Sequence, residues 1–297
     1  MKIRPSRWTG GGLNLVGWGL SAPAMLLLLL LYVLPIACLV ILSATDYELG
    51  AIDYKWLGTE NFKKAMSDAV FVRSLANTLT YTGIVIPSSV LLGLGAVLLV
   101  HGRRRSRGFY EVAYFLPVTA TMIAMATVWQ FLLHPKLGPV NALLVKLGLP
   151  AQAFLSDPHW VIPTLALMGV WQLLGFNMIL FLAGLSNIPR DLYDAAAIDG
   201  ADSAWDRFLT VTWPQLAPTT LFVTVTTCIT AFKVFDTVAA LTQGKSESEV
   251  LLYAIYLEGF HYFKMGYASA LTVVFLVFIV ILAVFQLRHF DRRIHYA

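Results

Sequence analysis

The chain has 297 residues, of which 58% are hydrophobic and only 13% are charged. Soluble domains carry about 45–50% apolar and about 25% charged residues, so this composition favours a protein that lies in a membrane. The formal net charge of +4 comes from basic residues between the apolar runs. They form no stripe with interleaved aromatics, which argues against a nucleic-acid partner.

Six apolar stretches are each long enough to cross a bilayer. A helix needs about 20 mainly apolar residues to span the hydrocarbon layer. The predicted spans are residues 18–43, 75–100, 110–133, 160–185, 215–241 and 267–287. The first is too long for the core of a signal peptide. We therefore predict an all-α membrane protein with about six transmembrane helices: one membrane domain over 18–288, preceded by a segment 1–17 and followed by a tail 289–297.

The distribution of basic residues predicts the orientation, because cytoplasmic loops carry an excess of lysine and arginine. The densest cluster, Arg103 to Arg107, lies between the second and third spans, on the same side as both termini. We therefore expect both termini, this cluster and the segment between the fourth and fifth spans to lie in the cytoplasm.

The segment between the fourth and fifth spans, residues 186–214, is predicted to form a helix, a turn and a second helix. Pro189 suits a first helical position, and Asp191 suits the positive start of a helix. Alanines continue the helix to a turn at Asp199-Gly200. The second helix then presents an apolar face of Trp205, Phe208 and Leu209. The segment is therefore amphipathic.

Two interpretations of this amphipathic segment stay open. A helix that rests on lipid headgroups usually carries lysine and arginine on its polar face, whereas a helix that binds a partner protein need not. The polar residues here are mainly aspartates: Asp191, Asp194, Asp199, Asp202 and Asp206. This charge favours a partner protein over the membrane lipid.

The same segment resembles the EAA loop of the permease subunits of binding-protein-dependent ABC importers. The matching residues are Tyr193, Asp194, Ala195, Ala196, Asp199, Gly200, Ala201, Phe208 and Pro214. Asp194 stands where the family usually has glutamate, which keeps the charge and shortens its reach. The resemblance implies that this EAA-like loop (residues 186–214) couples the membrane domain to an ATPase.

Further motifs resemble the carbohydrate-uptake branch of that family, which includes the sugar and glycerol-phosphate importers. They are Phe115-Leu116-Pro117, Val170-Trp171-Gln172, Ala183-Gly184-Leu185 and Phe235-Asp236 with Leu241-Thr242. That branch often continues Leu-Thr-x-Gly-Gly-Pro, whereas here Gly244 leads to Lys245 and Ser246. The resemblance implies the fold of a type I ABC importer permease in a bacterial inner (plasma) membrane.

The resemblance also implies the partners. A second permease subunit would complete the path for a sugar or related solute, and a periplasmic or lipid-anchored solute-binding protein would deliver that solute. Two cytoplasmic subunits would bind ATP and Mg²⁺. This chain itself lacks a phosphate-binding loop, because Ala239 stands where Gly244-Lys245-Ser246 would need a second glycine. Its six histidines form no paired ligand motif, so we expect no cofactor, metal or catalysis in it.

Lys233 and Asp236 lie inside the fifth predicted span. Each charge near the bilayer centre costs about 2.5–3.5 kcal/mol on insertion scales, so their presence needs a reason. A spacing of three places them on one face of a helix, where they would pair. The pair then either snorkels to the outer interface or lines a solute path.

The second candidates for a solute path are two Trp-Gln pairs, because aromatic faces and amides suit sugar rings and hydroxyls. Trp171 and Gln172 lie deep in the fourth span, and Asn177 follows them in the same span. Trp129 lies near the outer end of the third span, where a position in the interfacial aromatic belt is the alternative.

A self-sufficient secondary transporter or channel is the rival class. Such proteins tend to have two related halves, unwound helices at the midplane and carboxylates for coupling ions. The Val-Trp-Gln motif at Val128 and Val170 is too short to establish a repeat, and Asp236 is the only carboxylate well inside a span. A membrane-embedded enzyme is weaker still, since no cluster of catalytic residues lies in or beside the spans.

Overall fold

The computed structural model describes residues 10–103 and 105–291. Within those ranges the chain is helical and has no strand, only an isolated antiparallel bridge between Thr45 and Trp56. This confirms the predicted all-α class. The first nine residues of the predicted segment 1–17, Arg104, and the predicted tail after Asp291 lie outside the described residues.

The helices follow the apolar stretches of the sequence. In chain order they are α1 Gly10–Leu28, α2 Leu34–Ser43, α3 Glu60–Ser67, α4 Ala69–His101, α5 Arg107–Thr119, α6 Met122–Leu132, α7 Pro139–Lys146, α8 Pro158–Ser186, α9 Arg190–Ile198, α10 Ala204–Arg207, α11 Trp213–Gln215, α12 Ala217–Phe232, α13 Asp236–Leu241, α14 Leu251–Tyr256 and α15 Met265–Asp291. The π-helical turns Leu29–Val33 and Phe208–Thr212 join α1 to α2 and α10 to α11, and a third, Leu257–His261, follows α14.

Within the described residues, five helical runs are long and apolar enough to cross a membrane. They are Gly17–Ser43, Ala69–His101, Pro158–Ser186, Ala217–Leu241 and Met265–Gln286. Each coincides with a predicted span, and most ends differ by only a few residues. The largest difference is at the start of α4, where the Asp68 carboxylate accepts hydrogen bonds from the N–H groups of Val70 and Phe71. This N-cap starts the helix before the apolar stretch begins.

The third predicted span, 110–133, is interrupted. It consists of α5 and α6, which meet at an angle of 99°. Pro117 has no N–H group to donate to the helix, and Ala120 is extended, with φ −84° and ψ 131°. The Thr121 hydroxyl then caps α6 by accepting from the N–H of Ala124 at 3.3 Å. The expectation of one continuous helix is therefore corrected, and a sixth crossing requires this bent pair to span together.

The fifth predicted span is interrupted as well. Helix α12 ends at Phe232 and α13 begins at Asp236. Between them Phe235 has φ −146° and ψ −57°, outside the helical region. Lys233 therefore ends one helix and Asp236 begins the next. The expectation that these two residues share one helix face is wrong, because helical spacing does not continue across the break.

The chain divides into two compact units. The first contains the described residues up to Lys64 together with Glu258–Val274, and the second contains Ala65–Leu257 and the described residues from Phe275 onward. In the first unit the Asn61 side-chain amide donates to the carbonyls of Ser43 and Thr45 at 2.9 and 2.7 Å. These bonds tie α3 to the end of α2.

Two apolar clusters fill the interior of the second unit, in which α4 packs along α8. One cluster contains Val85, Leu165 and Val238, and the other contains Val97, Phe181 and Val223. Glycine permits the close approach of the two long helices, because a Cβ on Gly93 would lie 2.8 Å from the Cβ of Asn177.

A buried polar network lies between the two clusters. The Asn177 amide in α8 donates to the Ser89 hydroxyl in α4 at 3.2 Å and accepts from the Thr227 hydroxyl in α12 at 2.9 Å. The three residues are at most 1% exposed. One amide therefore joins three spans at a single level of the bundle.

This network predicts the effect of removing one hydroxyl. Thr227→Val should lower the free energy of unfolding by about 0.6–1.7 kcal/mol, the range measured for interhelical hydrogen bonds in membranes, because Asn177 loses a donor. The measurement is reversible unfolding in detergent. Thr226→Val is the matched control, since the Thr226 hydroxyl bonds only to carbonyls of its own helix. Equal losses in the two variants would contradict the proposed role of the network.

Candidate functional site

A cavity of about 430 Å³ lies in the second unit, beside both interrupted spans. The α5–α6 bend contributes Ala120 and Thr121, and the break after α12 contributes Lys233 and Phe235. Unwound backbone has unpaired N–H and C=O groups, which are tolerated at membrane depth only against protein or a water-filled cavity. The two breaks and the cavity are thus consistent with one another.

Two opposite charges face this cavity. Lys233 and Asp236 both line it and both have exposed side chains. No ion pair within the described ranges joins them. The ammonium group is therefore available as a donor, and the carboxylate is available as an acceptor, to whatever occupies the cavity.

Polar groups from α4 and α8 complete the wall. The half-buried Gln172 lines the cavity, as does Tyr81, which is 5% exposed. The Tyr81 hydroxyl packs directly against Gly169, where a Cβ would collide with it. Gly169 thus leaves room for the Tyr81 ring. Further hydroxyls come from Thr119, Thr121, Thr230 and Thr237.

The structure brings together only part of the predicted solute path. Gln172, Lys233 and Asp236 line the cavity, whereas Trp171 and Asn177 do not. Trp171 packs edge-on against Trp129, with ring centroids 5.4 Å apart and planes at 84°. The amide of Asn177 is occupied by the buried network. For Asn177 the prediction of a solute contact is corrected, because a side chain with no exposed area cannot meet a solute.

Sequence reasoning missed Tyr81 and the threonines of the cavity wall. Hydroxyl-bearing residues are common in these spans, and most bond back to their own helix, as Thr82 and Thr226 do. The available signal was Pro117 followed by Thr119, Ala120 and Thr121, since proline before small and hydroxyl residues marks a helix break.

The EAA-like loop folds as the predicted helix, turn and helix. Helix α9 begins one residue after Pro189, which takes the N-cap position, and Asp199 ends it. Gly200 follows with φ +90°, a conformation that glycine adopts without a Cβ penalty. Ser203 and Asp206 then form a capping box that starts α10. The N-cap at Pro189, the positive φ of Gly200 and the capping box of Ser203 and Asp206 thus together produce the hairpin.

Hydrogen bonds hold this hairpin together. The N–H of Ala201 donates to the Ala196 carbonyl at 2.9 Å, and the Arg207 Nε donates to the Ala201 carbonyl at 3.0 Å. The hydroxyls of Tyr193 and Thr212 are 3.0 Å apart and hydrogen-bonded. A cleft of about 500 Å³ lies between the two limbs, lined by the small residues Ala195, Ala196, Gly200 and Ala201, among others.

Large apolar side chains on the hairpin are exposed. Ile198 is 87% exposed and Trp205 is 65% exposed. Trp205 stacks on the half-buried Phe208 with centroids 5.4 Å apart. The surrounding aspartates, Asp191, Asp194, Asp199, Asp202 and Asp206, are all exposed, and Pro214 is exposed beyond Trp213. The hairpin thus presents exposed apolar side chains together with five exposed aspartates and the exposed Arg190 and Arg207.

The structure combines long apolar helices, a polar cavity beside two broken spans and an exposed amphipathic hairpin between two spans. Together these features are those of a membrane transport protein. Its family follows from comparison with known sequences. The chain belongs to the binding-protein-dependent transport system inner membrane component family, whose model matches residues 65–296. It is an ABC importer permease of the sugar type, located in the inner membrane, which confirms the predicted family and branch.

Two relatives illustrate the likeness. The sn-glycerol-3-phosphate transport system permease protein UgpA of Agrobacterium fabrum is 30% identical over 284 residues, which cover 93% of this chain and 95% of that protein. The lactose transport system permease protein LacF of Rhizobium radiobacter is 30% identical over 278 residues, covering 91% and 92%.

The fold has a counterpart among solved structures. A chain in the crystal structure of a bacterial ABC transporter involved in the import of the acidic polysaccharide alginate matches with a TM-score of 0.78 and 24% identity. The match covers 94% of this chain and 96% of that one. This likeness confirms the predicted permease fold.

Proposed function

We propose that this permease works with a second permease subunit, two cytoplasmic ATP-binding subunits and a periplasmic or lipid-anchored solute-binding protein to import a sugar or related small solute. In this assembly the ATP-binding subunits hold ATP and Mg²⁺, and the present chain transmits their movement without catalysing a reaction. Membership of the family and the named transport functions of its relatives support this proposal.

The observation that carries the proposal is the exposed apolar side chains of the hairpin. Without a partner for the EAA-like loop, the apolar side chains of Ile198 and Trp205 would stay exposed to water. Burial of such a side chain contributes about 1.5–3 kcal/mol. A lipid surface is a poor partner for these two side chains, because the exposed carboxylates nearby in the chain, Asp199, Asp202 and Asp206, would be repelled by anionic headgroups. A protein groove with basic edges fits both features.

The hairpin is built to transmit force. Its internal hydrogen bonds and capping box hold the two limbs in one geometry. Closure of the ATP-binding subunits on ATP would therefore move the loop as a unit and would shift the equilibrium between inward-open and outward-open states. A ligand shifts such an equilibrium only through contacts that differ between the states.

The cavity beside the two breaks is the proposed solute path in this chain. Lys233, Asp236 and Gln172 supply a charged donor, a charged acceptor and an amide in one place. Sugar hydroxyls both donate and accept hydrogen bonds, so a wall with both kinds of group suits them. The volume of about 430 Å³ is within the range of small-molecule sites.

A test of the coupling role uses Gly200. Gly200→Trp places a bulky side chain on the exposed turn, and the tryptophan would have to adopt the φ of +90° that Gly200 has. The substitution should therefore prevent the loop from seating against the ATP-binding subunit. We expect normal membrane insertion and binding-protein docking, with at least a tenfold loss of ATPase association and of stimulated hydrolysis, roughly 1.4 kcal/mol or more. Pull-down and hydrolysis assays on the purified complex measure this.

The matched control is Gly200→Asn. Asparagine adopts positive φ more readily than other side chains and adds little bulk, so this variant should keep most of the activity. Normal transport by Gly200→Trp would show that the EAA-like loop is not the lever.

A test of the solute path uses the two charges. Lys233→Met and Asp236→Asn should each lower solute uptake into reconstituted vesicles by about tenfold, since a hydrogen bond to a charged group contributes about 1.5–3 kcal/mol. The double variant should be no better than the worse single one, because the two groups form no ion pair. Lys136→Met, at an exposed loop lysine, is the control. Restored uptake in the double variant would instead indicate a functional pair.

The orientation follows from the coupling role. We place the EAA-like loop, both termini and the Arg103 to Arg107 loop in the cytoplasm, supported by the arginine cluster. A cysteine introduced at Arg105 in a cysteine-free background should therefore resist an impermeant thiol reagent added outside intact cells and should react after the membrane is opened. Efficient labelling from outside would overturn this topology.

A further inference from the structure

A second polar cavity, of about 490 Å³, lies on the other side of α9 from the cleft of the EAA-like loop. It is formed where the ends of α4 and α8 meet the first turn of α9. Its polar lining includes His101, Ser186, Arg190 and Tyr193, and its apolar lining includes Leu98 and Leu185. Neither the proposed solute path nor the coupling contact uses these lining groups together.

Arg190 is the charged hydrogen-bond donor in the polar lining of this cavity. The two hydroxyls bond within the protein, since Ser186 donates to the Leu182 carbonyl at 2.8 Å and Tyr193 bonds to Thr212. None of the described residues that line it is acidic. Arg190 is exposed, and neither it nor His101 makes an ion pair within the described part of the chain. Asp191 and Asp194 lie on the same helix and are not part of the lining. An oxyanion is the ligand that a guanidinium suits where the lining carries no acidic residue.

Arginine favours phosphate among the oxyanions. Its planar guanidinium donates two parallel hydrogen bonds to phosphate oxygens. Arg190 is also the first residue of α9, where free N–H groups and the helix dipole add to the attraction for an anion. The Tyr193 hydroxyl is one turn further along the same side of the helix and is held by its bond to Thr212.

The apolar half of the lining indicates the source of the phosphate. Leu98 and Leu185 belong to the ends of two membrane-spanning helices, so the cavity combines an aliphatic wall with one cationic group, the Arg190 guanidinium. Basic pockets of this kind between transmembrane helices bind anionic lipid headgroups. Arg103 and Arg105, in the loop that follows His101, are exposed but do not line the cavity.

We propose that this cavity binds the phosphate group of an anionic phospholipid of the cytoplasmic leaflet, with the glycerol and upper acyl chain against Leu98 and Leu185. The choice of leaflet depends on the orientation given under the proposed function. A lipid seated there contacts α4, α8 and α9 at once. It therefore adds a link between the membrane bundle and the first limb of the EAA-like loop.

The test measures lipid binding to the purified full-length chain by native mass spectrometry, with phosphatidylglycerol and phosphatidylcholine as the probes. The wild type should bind one phosphatidylglycerol in preference to phosphatidylcholine. Arg190→Gln should weaken that binding about fivefold or more, because it removes the one guanidinium that lines the cavity. Arg105→Gln removes the same charge outside the cavity and should leave this binding unchanged.

A second variant and a competition complete the test. Leu98→Trp fills the cavity without changing any charge and should cause a similar loss, while the unfolding temperature in phosphatidylcholine shows whether either variant is misfolded. Displacement of phosphatidylglycerol by millimolar inorganic phosphate would identify a soluble phosphate as the ligand and overturn the lipid proposal. Equal binding of the two lipids, or an equal loss in Arg105→Gln, would also overturn it. No transport is measured, so these outcomes are independent of the proposed function.

Discussion

The arrangement of the second unit depends on the hydrogen bonds of one buried amide. Apolar helices in a membrane have little reason to prefer one register over another, because lipid tails are as apolar as leucine. Asn177 removes that freedom, since its donor and acceptor are satisfied only when Ser89 and Thr227 lie at the same level. The apolar clusters on either side of this level then pack in one register.

The level of the Asn177 network also positions both functional regions. Gln172 precedes Asn177 in α8 by little more than one turn, and Lys233 follows Thr227 by less than two turns. These distances place the cavity lined by Gln172 and Lys233 just beyond the network. In the other direction α8 and α12 continue to the two ends of the EAA-like loop. Broken spans beside a polar cavity are also typical of secondary transporters, but the exposed hairpin and the family match favour the permease.

Composition and motifs were sufficient to predict the fold class, the five long spans and the hairpin, because each depends on local sequence. The relative positions of Lys233 and Asp236 were not predictable in the same way. The prediction assumed one continuous helix, whereas the helix breaks after Phe232. Asn177 shows a second limit. A polar residue in a span can contact a solute or a neighbouring helix, and its partners here are 88 and 50 residues away in the chain. Only the packing of the helices distinguishes these roles.

If the EAA-like loop moves as proposed, the same network constrains how that movement would reach the cavity. The loop joins α8 to α12, and both helices are tied to α4 through Asn177, so these three helices are expected to move together. About 14 residues of α8 separate Gln172 from the loop, a lever of about 20 Å at 1.5 Å per residue. A rigid lever needs a place where backbone dihedrals change. The interruptions at Ala120 and after Phe232 are suited to that change, because the regular helix stops there and both line the cavity.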